Sequence, residues 1–103
     1  MYEIILSDSA KKQLEKLEKN TQKRILNALE RIRIRPEAFV AKLVGSSAFR
    51  LRVGDYRVIL DIDKERLLIL IIKIGHRKNI YARKRKSFSA YWKSLEIGDF
   101  HYN

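Results

Sequence analysis

The sequence predicts an α+β fold, in which a twisted, mostly antiparallel sheet carries a helix pair on one face. Three observations predict it. Apolar side chains recur at helical spacing between residues 7 and 35. Residues 49–63 alternate apolar and polar around a Gly54-Asp55 pair, the period of a half-buried strand. Finally, RLLILIIKI at 66–74 is an almost unbroken apolar run, bounded by turns and rich in isoleucine, which suits a strand buried on both faces.

Each element follows in order. Residues 2–6 read as a short first strand. Ser7 or Asp8 can cap a helix whose stripe is Ala10, Leu14 and Leu17. Asn20-Thr21 marks a break and a fresh cap, after which Ile25, Ala28, Leu29 and Ile32 line a second helix. That helix should stop near Arg35, because Pro36 disfavours helical backbone in the residue before it. The two helices form an antiparallel hairpin with one apolar side. Residues 37–48 are a connection, with a helical turn expected at 38–43 and a loop at Gly45-Ser46-Ser47.

A three-stranded antiparallel meander then completes the sheet. Gly54-Asp55 suits a two-residue hairpin turn, so Val53 should face Tyr56, Arg52 face Arg57, Leu51 face Val58 and Arg50 face Ile59. Directly opposed residues share a face. One face is therefore apolar, and the other gathers Arg50, Arg52 and Arg57, although like charges directly opposite cost about 0.2–1 kcal/mol. Residues 63–65 turn into the isoleucine-rich strand, in which Lys73 is the exception, and Gly75 closes it. The aromatic tail, with Phe88, Tyr91, Trp92, Leu95 and Phe100, permits a short helix up to Gly98. The chain thus divides into a domain at 1–86 and a C-terminal helical extension at 87–103.

Composition narrows the function. A chain of 103 residues is one domain with room for a single core. With no cysteine it has no disulfide framework, thiolate zinc site or cysteine nucleophile. No leader or membrane span is read, so a soluble cytoplasmic protein is expected. The formal charge is +11, and residues 48–86 hold 12 basic groups against 4 acidic ones. That field points to a polyanion: RNA, DNA, a ribosome or an acidic protein.

Several chemistries are excluded or weak. There is no Gly-rich phosphate loop, His76 and His101 are too isolated for a metal cluster, and Ser46-Ser47 lacks a nearby histidine. Asp61 and Asp63 share a strand face but read as ordinary surface carboxylates beside a turn. What remains is a cluster of cations with one histidine and one tyrosine. Arg50, Arg52 and Arg57 lie on the hairpin face, and Lys73, His76, Arg77 and Tyr81 sit at or beyond the end of the next strand. Phosphodiester cleavage through a 2′-hydroxyl needs a base for that proton, cations for charge on the phosphate, and an acid for the 5′ oxygen. Arginines supply the second, histidine the first or third, and tyrosine a stacking surface or a proton. A plain phosphate-binding groove would present the same residues.

The stretches LVGSSAFRLRVGDYRVILDID and ILIIKIGHRKNIY, with the helix hairpin and Pro36, resemble the RelE branch of the RelE/ParE toxin superfamily over about residues 2–83. The resemblance implies a toxin of a type II toxin–antitoxin pair, an mRNA interferase that enters the ribosomal A site and cuts mRNA through the 2′-hydroxyl with neither metal nor other cofactor. It implies an acidic, RelB-like antitoxin, the ribosome and mRNA as partners. On the same basis Arg50, Arg52, Arg57, His76, Arg77 and Tyr81 correspond to catalytic positions. Lys73, Lys78, Arg83, Lys84, Arg85 and Lys86 are expected to bind RNA. Two alternatives stay open: a ParE-like inhibitor of DNA gyrase, and a non-catalytic RNA- or ribosome-binding module.

Overall fold

The structure is a computed structural model and describes residues 1–80. Tyr81, the basic run 83–86 and the expected extension at 87–103 lie outside the described residues. The order of elements is β1 (Glu3–Leu6), α1 (Asp8–Glu15), α2 (Lys19–Ile32), a 3-10 turn (Pro36–Ala38), β2 (Val40–Lys42), β3 (Phe49–Val53), β4 (Tyr56–Asp63) and β5 (Leu68–His76). The strands form one five-stranded sheet in the order β1-β5-β4-β3-β2. β2 to β5 are antiparallel neighbours, and β1 joins β5 in parallel with Glu3 opposite Leu68.

Both helices pack on one face. Ala10, Leu14, Ile25, Ala28, Leu29 and Ile32 meet Leu51, Val58, Leu60, Ile69, Ile71 and Ile74 in the main core. Ser7 caps α1 by accepting from the Ala10 amide. The fresh cap expected at Asn20-Thr21 falls inside α2 instead. Glu18 is the first flanking residue and makes no side-chain cap bond; Gln22 Nε2 donates to the Leu17 carbonyl at 2.8 Å and secures the corner between the helices. α2 ends at Ile32, before Pro36 as expected.

The connection at 37–48 differs from expectation. Its helical turn lies earlier, at Pro36–Ala38, and a strand, β2, occupies part of the span assigned to a helical turn. Proline fixes the backbone of that turn, and three residues are too few for alternation to reveal a strand.

The β3–β4 register is the expected one, with Arg52 opposite Arg57 and Val53 opposite Tyr56. Gly54 has φ +59°, and Asp55 is not among the positive-φ residues, the sequence of signs of a type II′ turn. A side chain at Gly54 would also meet Arg24, whose Nη2 lies 2.7 Å from the position a Cβ would take. Gly54→Ala should therefore destabilise the fold by about 1–2 kcal/mol through backbone strain. A lower urea midpoint with an unchanged slope is the expected result, and an unchanged midpoint would exclude this account of the turn.

β5 is shifted by two residues from the expected 66–74. Asp63 Oδ1 accepts from the Glu65 and Arg66 amides, and Leu67 takes φ 57°, so the turn extends further along the chain. At its other end β5 passes through Gly75 and stops at His76. A bulge interrupts its pairing with β4: Ile59 faces Lys73 and Leu60 faces Ile71, leaving Ile72 unopposed. The bulge turns the alternation over by one residue. Ile71 and Ile74 can then both enter the helix-side core, while Lys73 falls on the opposite face.

Candidate nucleic-acid interface

The face away from the helices carries Arg50, Arg52 and Arg57, as the register requires. Ile59 shares that face but is buried in a second small cluster with Ala48 and Ile80, against which Leu43 packs. This patch gives the arginines an apolar floor on one side. Arg50, Arg52 and Arg57 have no carboxylate partner among the described residues. Arg57 Nη1 donates to the carbonyls of Gly54 at 3.0 Å and Tyr56 at 2.9 Å. The turn thereby draws the guanidinium toward its own carbonyls, which offsets repulsion from the opposed Arg52.

Arg77 reaches the same turn from the other side. Its amide donates to the Asp55 carbonyl at 2.8 Å, and its Nε lies 3.6 Å from Asp55 Oδ1. Arg57 and Arg77 thus both contact the Gly54-Asp55 turn, and Arg24 of α2 lies against Gly54. The Arg77–Asp55 pair is exposed and stabilises the fold little, leaving the guanidinium available to an anion.

Lys73 lies on the arginine face but is used structurally: its Nζ donates to the Ile80 carbonyl at 3.0 Å. Gly75, opposite Arg57, has no side chain to obstruct Ile80, whose Cδ1 lies 3.0 Å from where a Cβ would be. The amides of Asn79 and Ile80 both donate to the His76 carbonyl, so the chain doubles back and brings Ile80 over this face.

His76 does not join the arginines. Alternation puts it with Ile74 on the helix side, opposite Tyr56, whose ring it meets edge-on with centroids 5.4 Å apart. Its Nδ1 accepts from the Lys78 amide at 3.1 Å, which places the proton of the neutral ring on Nε2. The sequence grouped His76 with the cations because Gly75 was expected to end the strand. Since β5 continues, the two sides of the sheet separate them. Lys78 is exposed just beyond the strand; Tyr81, Arg83, Lys84, Arg85 and Lys86 fall outside the described residues.

The structure adds one residue that the sequence passed over. A cleft of about 370 Å³ is lined by Arg50, Arg52 and Arg57 together with Phe39 and the chain at Val40 and Ala41. Phe39 is a lone aromatic in a connection, so no periodicity singled it out. Further along β4 on the same face, Asp61 and Asp63 act as surface and turn carboxylates. Asp61 Oδ1 accepts from the Ile62 amide, but burial pushes its carboxyl up, and the Asp63 charge adds to the rise. A carboxylate with a raised folded pKa binds more protons folded than unfolded, so its contribution to stability falls as pH rises through that folded pKa. Asp61→Asn should therefore stabilise the protein at pH 7, by under about 1 kcal/mol after solvent screening, read as a higher thermal midpoint. The gain should vanish below about pH 4, where the acid is protonated in both states. A pH-independent difference between the two proteins would show that charge burial is not its cause.

A family model described as the ParE toxin of the type II toxin–antitoxin system parDE matches residues 4–81. No curated protein gave a match. Among solved structures, a chain of the RelBE2 toxin–antitoxin complex from Mycobacterium tuberculosis is 24% identical with a TM-score of 0.69, the match covering 74% of this chain and 98% of that one. A chain of the archaeal RelE–RelB complex from Pyrococcus horikoshii is 27% identical with a TM-score of 0.64, covering 76% and 97%. The isolated RelE toxin of E. coli is 19% identical with a TM-score of 0.65, covering 94% and 98%. With three quarters of its length matched by the family model and its whole sheet-and-helix-pair architecture shared with RelE structures, this chain belongs to the RelE/ParE superfamily of type II toxins.

Proposed function

We propose that the chain is a ribosome-dependent endoribonuclease toxin, cutting mRNA in the A site through the 2′-hydroxyl and so inhibiting translation. The observation that carries this reading is the arginine face: Arg50, Arg52 and Arg57 share it without a carboxylate partner among the described residues, and Arg77 converges on the same turn. In the proposed step the 2′ oxygen loses its proton and bonds to phosphorus, the bond to the 5′ oxygen breaks, and that oxygen takes up a proton. Arg57 and Arg77 stabilise the charge that builds on the phosphate oxygens, where fixed donors act most strongly. Arg50 and Arg52 hold the neighbouring backbone. His76 stands on the other side of the sheet edge, so in this reading a group of the ribosome or RNA, or Tyr81, shares the proton transfers.

The natural partner for such a face is an acidic antitoxin, and the RelE–RelB complexes among the similar structures support one. A cytoplasmic toxin held silent by that partner follows from the same reading. The match to a ParE-toxin model favours a second reading, inhibition of DNA gyrase, in which the arginines carry no catalytic role. Primer extension on a defined mRNA in a purified translation reaction separates them. Discrete A-site cuts that require ribosomes support the nuclease, whereas intact mRNA together with trapped gyrase–DNA complexes supports the gyrase inhibitor. Intact mRNA with tight RNA or ribosome binding leaves a binding module.

A further inference from the structure

Phe39 is 47% exposed, unusual placement for a large apolar side chain that has a core beside it. Its position is fixed by the chain around it. Pro36 is buried, and the Phe39 amide donates to the Pro36 carbonyl at 3.0 Å. The ring is therefore held at the end of a proline-anchored turn, on backbone with little freedom to lose. β2 then begins, with Val40 opposite Leu51 and Ala41 opposite Arg50. Phe39 itself lies just before the strand, in the turn, with φ −121° and ψ −11°. The cleft joins it to the arginines: Phe39 and the three arginines line the same depression, which is at the small end of ligand pockets.

We propose that Phe39 is a stacking platform for one base of single-stranded RNA whose phosphates lie on Arg50, Arg52 and Arg57. This deepens the reading of the arginine face as an RNA site and rests on it. Cations alone would hold any polyanion, including duplex DNA or an acidic peptide. A fixed, half-exposed ring beside them adds what only an unpaired base can use, a flat apolar surface one nucleotide from the phosphate contacts. A duplex keeps its bases stacked inside and offers the ring nothing.

The test uses the purified full-length chain and a short single-stranded RNA carrying 2-aminopurine, whose emission is quenched on stacking. Phe39→Leu keeps an apolar side chain at an exposed position, so folding is unaffected. It should weaken RNA binding by about 5- to 100-fold, the range for losing one base–aromatic stack. The 2-aminopurine quench should disappear, while the slope of log affinity against log salt stays unchanged. Phe39→Trp should retain both affinity and quench. Arg52→Ala should behave in the opposite way, reducing the salt slope by about one and keeping the quench. Equal affinity and equal quenching for the wild type and Phe39→Leu would overturn the assignment, as would an equal loss of duplex DNA binding. Primer extension keeps this separate from the cleavage reading. Arg57-dependent cutting with unaltered RNA binding in Phe39→Leu removes the stacking role alone. A Phe39-dependent quench in a chain that never cuts mRNA removes the nuclease reading alone.

Discussion

Arg57→Ala is expected to lower A-site cleavage by about 10²- to 10³-fold, the range for removing one preorganised donor from a transition-state site, with the fold intact. Three observations set this expectation. Arg57 stands opposite Gly75, which has no side chain of its own to compete with the guanidinium. It has no acidic partner among the described residues. Among the described residues its side chain donates to the Gly54 and Tyr56 carbonyls, beside an exposed turn where water can replace the guanidinium. Thermal stability should therefore hardly change, and the salt slope of RNA binding should drop by about one. Arg57→Lys should recover only part of the rate, because an ammonium keeps the charge but loses the planar fork that meets two phosphate oxygens. Cleavage by Arg57→Ala at the wild-type rate, on protein that still binds ribosomes, would move the chemistry off this face. Loss of affinity in proportion to rate would make the face a binding surface only.

The shared face of Arg50, Arg52 and Arg57 was legible in the sequence because one short-range signal governs it. Gly54-Asp55 sets the hairpin register, and the register sets which side each arginine takes. The same reasoning misplaced His76, since it ended the strand at Gly75. Glycine interrupts many strands, yet here it is kept for a different reason: Ile80 packs where its side chain would be. The parallel pairing of β1 with β5 is also invisible locally, because the partners lie more than sixty residues apart and nothing in residues 3–6 names a neighbour. β2 escaped notice through its length, and Phe39 with it, since a cleft is assembled from elements that are distant in sequence. Isolated helices and hairpins announce themselves through periodicity, whereas edges, bulges and clefts depend on which elements meet.

The bulge at Ile72 is the clearest case, and it sets the largest expected effect on stability. Plain alternation from Ile69 and Ile71 would drive Lys73 into the helix-side core, where an unpaired ammonium is prohibitive. The extra residue avoids this, and its carbonyl meets Ser7 at the start of α1. Ser7, fully buried, ties the two together: its Oγ donates to the Ile72 carbonyl at 2.9 Å and accepts from the Ala10 amide at 3.0 Å. One hydroxyl thus caps α1 and seals the bulge. Close by, Gln13 Oε1 accepts from the Ile74 amide at 2.7 Å, just past the last β1–β5 pair at Leu6 and Ile71. Ser7→Ala removes both hydroxyl bonds and leaves the amide and the carbonyl buried together. The loss should be about 2–3 kcal/mol, more than an exposed helix cap gives, or roughly 10–20 °C in Tm for a domain of this size. A loss well under 1 kcal/mol would mean that water enters the junction and that the bulge holds itself. The arginine hairpin lies away from Ser7, so folded Ser7→Ala protein should still cut mRNA at the wild-type sites. Weakening should instead show in hydrogen exchange at Lys73 and Ile74, because their placement depends on the bulge and not on the turn.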